Sequence, residues 1–271
     1  MGIIEHSKAI RALINIFTDF SVRFFLIGAQ VRDIYFNQKN IPPKRATRDI
    51  DFAVMIESMG QYDELIKVLI TKGFKKTEYP YRLVWSNDDT IIDLLPFGPI
   101  EKDHTVVFTE DGTELTVIGF GEIIEETTPW ALDEKSTFSV PVPPLHGLFL
   151  LKLLSWDEKR YDRDKDLEDL IQIQDNYWEF VEDEAYVHHL DLFDADDFDI
   201  RNAAARILGR HLKKTLDKSD DLKRVVLRIL EEQAQHTDPP GQMISKFSQT
   251  NNLSLEEVKT ILEEILKGIN E

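Results

Sequence analysis

Two aspartates separated by one residue lie in the segment Thr47-Arg48-Asp49-Ile50-Asp51-Phe52. Residues 49–56 have the apolar composition of a strand, in which residues i and i+2 point to the same face about 6–7 Å apart. Two carboxylates this close repel one another unless a cation compensates them. Oxygen ligands without a neighbouring histidine suit Mg²⁺, with Mn²⁺ as the alternative ion. The pattern predicts a metal-assisted phosphoryl-transfer site, and its alternative is a solvated strand face.

Two further features favour the metal site. Gly28 ends an apolar strand at residues 23–27 and precedes a helix at residues 29–36. A glycine lets the backbone approach a phosphate, and the N-terminus of a helix offers it N–H donors. Asp93 stands alone in the apolar strand 91–95, where an uncompensated carboxylate is costly. We expect a bound cation and the substrate, and not a Lys or Arg neighbouring it in sequence, to support it, which predicts a two-metal centre.

The elements that position these residues follow from the spacing of apolar side chains. Further strands are predicted at residues 49–56, 82–85, 105–108, 115–118 and 138–140. Helices are predicted at residues 7–19, 62–71, 145–156, 165–177, 200–216, 222–235 and 255–269. The pair Pro143-Pro144 separates the two patterns. The sequence thus predicts an α/β domain over residues 1–143 and a helical domain over residues 144–271.

The formal net charge of -18 is unevenly distributed. Residues 1–100 hold 13 Lys and Arg against 12 Asp and Glu, whereas residues 157–199 hold 4 against 17. Affinity for a phosphate backbone comes from Lys and Arg that displace counterions. The acidity therefore disfavours non-specific nucleic-acid binding, while the near-neutral first part leaves room for a local basic strip.

The compartment follows from what the sequence lacks. It contains no cysteine, which excludes disulfides, cysteine-ligated zinc and a thiol nucleophile. No apolar run approaches the roughly 18–20 residues that span a bilayer, and the N-terminal residues have no secretory cleavage pattern. We expect a cytoplasmic protein with no membrane partner.

The motifs IGAQVRD, RATRDIDF and IIDLLPFG, followed by a lysine-bearing helix and a KD-x-x-D helix, resemble the DNA polymerase β-like nucleotidyltransferase superfamily. Within it, the sequence is most similar to the AbiEii-type nucleotidyltransferase toxins over most of residues 20–175. The resemblance implies an α/β (α+β) nucleotidyltransferase fold: a mixed sheet with flanking helices, followed by a mainly helical region that completes the active-site cleft. Ala29 departs from the family, in which many members carry Ser or Gly.

The resemblance also implies roles for individual residues. Asp49 and Asp51 would bind the metals that hold a nucleoside triphosphate, and Asp93 would be the third ligand and the base for the attacking hydroxyl. The phosphates would be bound by Gly28, Ala29, Arg45 and Thr47. For the last two, a solvated loop is the alternative.

Three residues of the helical half are further nucleotide-binding candidates. Lys152 lies in an otherwise apolar helix, where it either snorkels to the surface or, as in the toxin family, reaches the triphosphate. Asp166 and Asp169 share a face of the next helix at i, i+3. They either stabilise the helix dipole or, as the family implies, face the site.

The predicted activity is transfer of NMP from an NTP to an acceptor hydroxyl with release of pyrophosphate. One acceptor is an RNA end such as tRNA, in a toxin–antitoxin or phage-defence setting with an antitoxin as partner. The alternatives are a small-molecule acceptor, as in aminoglycoside nucleotidyltransferases, and a non-catalytic nucleotide-binding partner protein. The three acids favour an enzyme, and the overall acidity favours the small molecule.

Other conspicuous residues are assigned structural roles. The pair His188-His189 is not assigned to a metal site, because adjacent residues of a helix diverge and no spacing supports it. The aromatic residues Trp156, Tyr161, Tyr177 and Trp178 are expected in the core or at an interface.

Overall fold

The computed structural model describes residues 7–42, 47, 49–132, 138–193, 198–235 and 240–271. The chain divides into two compact units, Met1–Pro144 and Leu145–Glu271. Among the helices of these described ranges, none combines the length and the apolar composition that a membrane crossing requires.

The described part of the first unit combines helices with short strands. The helices are α1 (Ser7–Asp19), α2 (Ala29–Gln38), α3 (Met59–Thr71) and α4 (Phe120–Ile124). The strands are β1 (Phe24–Ile27), β2 (Asp49–Met55), β3 (Phe74–Lys76), β4 (Arg82–Trp85), β5 (Thr90–Phe97), β6 (Thr105–Val107), β7 (Glu114–Thr116), β8 (Thr128–Ala131) and β9 (Ser139–Val142). The predicted α/β class is confirmed.

The five-stranded sheet has the order β1-β2-β5-β4-β3. Strands β2 and β5 are parallel, and the other neighbours are antiparallel, so the sheet is mixed. In the parallel pair Asp51 lies opposite Asp93, and in the antiparallel pair Arg82 lies opposite Asp93. Residues opposite one another on neighbouring strands share a face of the sheet. The register therefore places these three side chains on one face.

The two faces of the sheet differ in polarity. On one face, Phe17 of α1 packs its ring 4.8 Å from Phe24 and 5.7 Å from Phe52, measured between ring centroids. The other face is apolar at one end, where Phe97 packs against Phe25 and Phe120 at 5.8 and 5.6 Å. The acids of β2 and β5 occupy the opposite end of that face, so the apolar packing anchors the strands that carry them.

The described residues of the second unit are helical, as predicted. The helices are α5 (Leu145–Glu158), α6 (Asp164–Asp175), α7 (Trp178–His188), α8 (Ile200–Leu216), α9 (Asp220–Ala234), α10 (Gln242–Asn251) and α11 (Leu255–Asn270), with a 3-10 turn at Leu190–Phe193. Helices α8 and α11 pack through glycines: a Cβ on Gly209 would lie 2.2 Å from the carbonyl oxygen of Ile265. This close approach brings the two helix backbones into contact.

Tyr161 differs from its predicted place in the core or at an interface. It is 92% exposed in the turn between α5 and α6, whereas Trp156 and Tyr177 are buried. An isolated exposed aromatic residue is normal on a protein surface.

Candidate active site

Gly28 is the turn between β1 and α2, and its backbone contacts a side chain of β2. Its φ of 76° and ψ of -160° lie where glycine is strongly favoured. A Cβ at this position would lie 2.0 Å from Oδ2 of Asp51. Helix α2 starts at the next residue, Ala29, and Gly28 supplies no side-chain cap. The glycine thus brings the N-terminus of a helix against a carboxylate of the D-x-D motif.

Asp49 and Asp51 project from the same face of β2, as the spacing predicts. Both are half-buried, and Ile50 between them is fully buried on the apolar face. Asp51 lies opposite Asp93 of β5. The structure therefore gathers the three predicted carboxylates on one face of two neighbouring strands.

Asp93 is held by an arginine that the sequence analysis did not assign to the site. Arg82 donates two hydrogen bonds to it, from Nε to Oδ1 and from Nη2 to Oδ2, both 2.7 Å long. The hydrogen bonds to Asp93 raise the pKa of Arg82, and the charges of Asp93 and Asp49 add to the effect. Asp93 is 8% exposed. A positive charge on the neighbouring strand β4 therefore compensates this carboxylate, a partner that the residues next to Asp93 in sequence do not indicate.

The signal that would have identified Arg82 is the hairpin itself. Strands β4 and β5 flank the polar turn at residues 86–89, and this turn sets the antiparallel register that pairs Arg82 with Asp93. The sequence predicts both strands and the turn, and their antiparallel pairing then places Arg82 opposite Asp93. Each oxygen of a carboxylate has two lone pairs, so Asp93 retains acceptor capacity beside the arginine.

Tyr62 of α3 anchors β5 beside Asp93. Its hydroxyl donates a 3.1 Å hydrogen bond to the carbonyl oxygen of Leu94, and the side chain is buried. Burial raises the pKa of Tyr62, and the negative charge of Asp93 raises it further. The hydroxyl therefore remains protonated and continues to donate to the strand.

The loop before β2 is only partly described. Thr47 is half-buried and belongs to no helix or strand. Arg45, the other candidate of this loop, lies outside the described residues. Their contribution to phosphate binding stays a prediction.

Lys152, Asp166 and Asp169 form a buried ionic cluster within the second unit. The Nζ atom of Lys152 lies 2.6 Å from Oδ1 of Asp166 and 2.9 Å from Oδ2 of Asp169. None of the three is more than 9% exposed, so the ammonium does not snorkel. Ser155 donates a 2.9 Å hydrogen bond to the second oxygen of Asp166. The two acids therefore bind the lysine and are more than partners of the helix dipole.

Each charge of this cluster stabilises the others against the cost of burial. Burial alone would lower the pKa of Lys152, but the two carboxylates outweigh it and the pKa is raised. Burial alone would raise the pKa of Asp166, but Lys152 and Ser155 outweigh it and the pKa is lowered. Lys152 and Asp166 thus stay charged at neutral pH.

Comparisons with known proteins give structural similarities at low sequence identity. No family model matches the sequence, and no curated protein matches it. The solved structures to which the chain is similar include the antibiotic-resistance factor ANT(2'')-Ia, at 14% identity and a TM-score of 0.36. They also include a tRNA-processing enzyme in an apo form, at 12% identity and a TM-score of 0.27. The CdnE cyclic dinucleotide synthase of Elizabethkingia meningoseptica is similar at 13% identity and a TM-score of 0.25. The match with ANT(2'')-Ia covers 67% of this chain and 94% of that protein's chain. The match with the tRNA-processing enzyme covers 98% of this chain and 90% of that chain, and the match with CdnE covers 97% and 89%, respectively.

Proposed function

We propose that this protein is a metal-dependent nucleotidyltransferase that transfers NMP from an NTP to an acceptor hydroxyl. The observation that carries the proposal is the carboxylate face formed by Asp49, Asp51 and Asp93, with the Gly28 turn against Asp51. A phosphate near a helix N-terminus and a cation near paired carboxylates are each favourable. Their juxtaposition supports binding of a metal–triphosphate complex.

The donor set fits a hard divalent cation. Asp49 and Asp51 offer carboxylate oxygens on one half-buried face, which is the ligand type that Mg²⁺ and Mn²⁺ take while keeping water and phosphate ligands. When bound, such ions neutralise charge that develops on the transferring phosphoryl group. The protein's own contribution is to hold the carboxylates in place through β2 and to present the N–H groups at the start of α2, beginning with Ala29, to the phosphates.

Asp93 is proposed to act on the acceptor. Arg82 fixes the carboxylate plane through two hydrogen bonds and leaves lone pairs that accept a proton from an acceptor hydroxyl. A positioned base contributes typically about 10²–10⁴-fold to a rate. Arg82 is then a positioning residue, since it acts through Asp93.

The remaining nucleotide-binding candidates rest on the resemblance to the AbiEii-type toxins. Lys152, Asp166 and Asp169 are proposed to contact the triphosphate or its metal, and Arg45 and Thr47 to contact phosphate oxygens. Because Lys152 is already paired with two carboxylates, its binding to a phosphate requires those acids to share it.

For the acceptor we propose an RNA end such as tRNA, in a toxin–antitoxin or phage-defence setting with an antitoxin as partner. The basic sequence Lys44-Arg45 and Arg48 beside the D-x-D motif supports RNA, because such residues bind phosphate backbones. The net charge of -18 favours a small-molecule acceptor instead, which is the second candidate.

The test is an incorporation assay with each of the four α-labelled NTPs, Mg²⁺, and either total RNA or the small-molecule fraction of a cell extract. We expect one NTP to label one fraction with release of pyrophosphate. Asp51→Asn should abolish labelling, whereas Asp63→Asn, which alters an exposed acid on α3, should not. Absence of both NTP binding and incorporation with Mg²⁺ and with Mn²⁺ would refute the proposal. Label in the small-molecule fraction alone would select the second acceptor.

A further inference from the structure

Two histidines and a glutamate of the second unit converge on one point. Glu184 lies in α7, His189 follows the last residue of that helix, and His211 lies in α8. One ligand atom of each lies within 4.8 Å of the others. Of the pair His188-His189, His188 is exposed, whereas His189 is buried and faces Glu184. His189 stands at the helix end with φ -131° and ψ 38°, where helical spacing no longer applies.

The distances from the Glu184 carboxylate to the two rings match those between ligands of one metal ion. Oε1 of Glu184 lies 2.9 Å from Nε2 of His211 and 3.4 Å from Nε2 of His189. Ligand bonds of about 2.0–2.2 Å in a tetrahedral site place neighbouring ligand atoms roughly 3–3.5 Å apart. The same nitrogen of each ring faces the carboxylate, so small shifts would suffice to admit an ion among the three.

A buried tyrosine supports this arrangement from behind one ring. The hydroxyl of Tyr177 lies 2.7 Å from Nδ1 of His211, on the side away from Glu184. Histidines that bind a metal through one nitrogen usually place the other against an oxygen atom of this kind, which fixes the ring orientation. The tyrosine accepts the Nδ1 hydrogen when Nε2 binds a metal, and donates its own hydrogen otherwise.

One contact opposes a metal. Nη1 of Arg210 lies 2.8 Å from Nδ1 of His189, and a guanidinium only donates hydrogen bonds. Without an ion, His189 therefore accepts at Nδ1 and donates from Nε2 to Glu184. Binding a metal at Nε2 moves this proton to Nδ1 and releases Arg210. The guanidinium then remains compensated by Asp191 and Glu271, with which it already forms ion pairs.

We propose that Glu184, His189 and His211 form a binding site for a divalent transition-metal ion, with Zn²⁺ as the best fit. Two imidazoles and one carboxylate match the nitrogen and oxygen ligands of Zn²⁺, whereas Mg²⁺ prefers oxygen alone. The fourth position falls to water or to His146, whose ring centroid lies 5.4 Å from that of His211. Such an ion would tie the end of α7 to α8.

The test uses the full chain after removal of metals with EDTA. Co²⁺ is the first probe, because nitrogen ligands in a tetrahedral site give it an intense visible absorption, and Zn²⁺ is then titrated against it. We expect one Co²⁺ per chain, displaced by Zn²⁺, and the same absorption in Asp51→Asn, which separates this site from the proposed nucleotide site. Zn²⁺ should also raise the Tm, because an ion that binds only the folded state stabilises it.

Substitutions locate the ligands. His189→Gln and His211→Gln should weaken Zn²⁺ binding by more than the about 10–100-fold that loss of an outer partner such as Tyr177 produces. The control is His188→Gln, which removes the neighbouring exposed imidazole and should bind Zn²⁺ as the parent does. If a variant fails to fold, X-ray absorption of the Zn²⁺-loaded parent counts its imidazole ligands directly. A count of zero, absence of Co²⁺ absorption, or absorption that persists in both folded histidine variants would overturn the proposal.

Discussion

Substituting Gly28 by alanine tests whether the glycine turn and the D-x-D motif form one site. The new Cβ would lie 2.0 Å from Oδ2 of Asp51, far inside van der Waals contact, so the carboxylate must rotate away or β1 must shift. The backbone at φ 76° and ψ -160° adds a cost of about 1–3 kcal/mol for a residue with a side chain. At about 4 °C per kcal/mol for a unit of this size, the Tm should fall by about 4–12 °C.

The chain contains a matched control for this substitution. Gly112 also has φ 76°, but a Cβ there meets nothing within 4 Å. Gly112→Ala should therefore show strain from positive φ without any effect on Asp51. We expect both variants to lose stability, and only Gly28→Ala to lose affinity for Mg²⁺–NTP.

Calorimetric titration of Mg²⁺–NTP and thermal unfolding measure the two effects separately. Titration is done well below the lower Tm, so that both variants are folded. If Gly28→Ala binds Mg²⁺–NTP as tightly as the parent does, the glycine turn does not hold the phosphates and Asp51 does not depend on it. Equal loss of binding in Gly112→Ala would show that general strain, and not the contact with Asp51, is responsible.

Four further predictions follow from the contacts described above. Arg82→Met leaves the buried carboxylate of Asp93 uncompensated and should lower the free energy of unfolding in urea by up to about 3 kcal/mol. The double variant Arg82→Met/Asp93→Leu should recover most of this loss, and no recovery would mean that the two residues are not coupled. Asp93→Asn should lower transfer at saturating NTP by about 10²–10⁴-fold in single-turnover assays with NTP affinity unchanged, and parental rates would make Asp93 structural. Lys152→Met should cost about 3–5 kcal/mol at pH 7. Because Lys152 lowers the pKa of Asp166 from its usual 3.8, this stabilisation is present above pH 3.8 and is lost as the pH falls through the lowered pKa. The difference in the free energy of unfolding between parent and variant should therefore become smaller in acid. A difference that does not change with pH would contradict the ion pair between Lys152 and Asp166. Gly209→Ala should destabilise the second unit by about 1–3 kcal/mol through contact with Ile265, whereas Gly121→Ala, a helical glycine with open space, should be neutral or stabilising in the same unfolding assay.

The spacing of apolar residues in the sequence was sufficient to predict a helix or strand where the residues at that spacing are the ones that are buried. Strand β2 and helices α1 and α8 were predicted to within one residue of their observed ends, because their apolar residues repeat with one period. The three-residue strand β3 was missed, since only Phe74 in it is buried. Helix α7 was missed because its acidic residues masked the buried positions Trp178, Val181 and Ala185.

The sequence likewise predicts those features of the candidate site that depend on one segment of the chain, and not those that depend on contacts between elements. The shared face of Asp49 and Asp51 follows from alternation along one strand, and the Gly28 turn follows from one glycine between a strand and a helix. Arg82, the partner of Asp93, and His211, which faces the same glutamate as His189, lie on other elements, so no spacing within one segment reveals them. Arg82 needed the register of a hairpin, and His211 needed the packing of α7 on α8.

The central position of β5 has a consequence for the order in which the protein folds. Strands β1 and β2 form one antiparallel pair, β3 and β4 form another, and β5 is the strand that joins the two. Its insertion delivers Asp93 to Asp51 on one side and to Arg82 on the other in a single event. Because the parallel pairing with β2 closes a long loop, it is expected to be slow. A nascent chain that ends before β5 therefore carries the D-x-D motif without its third carboxylate, and the three carboxylates come together only when the sheet is complete.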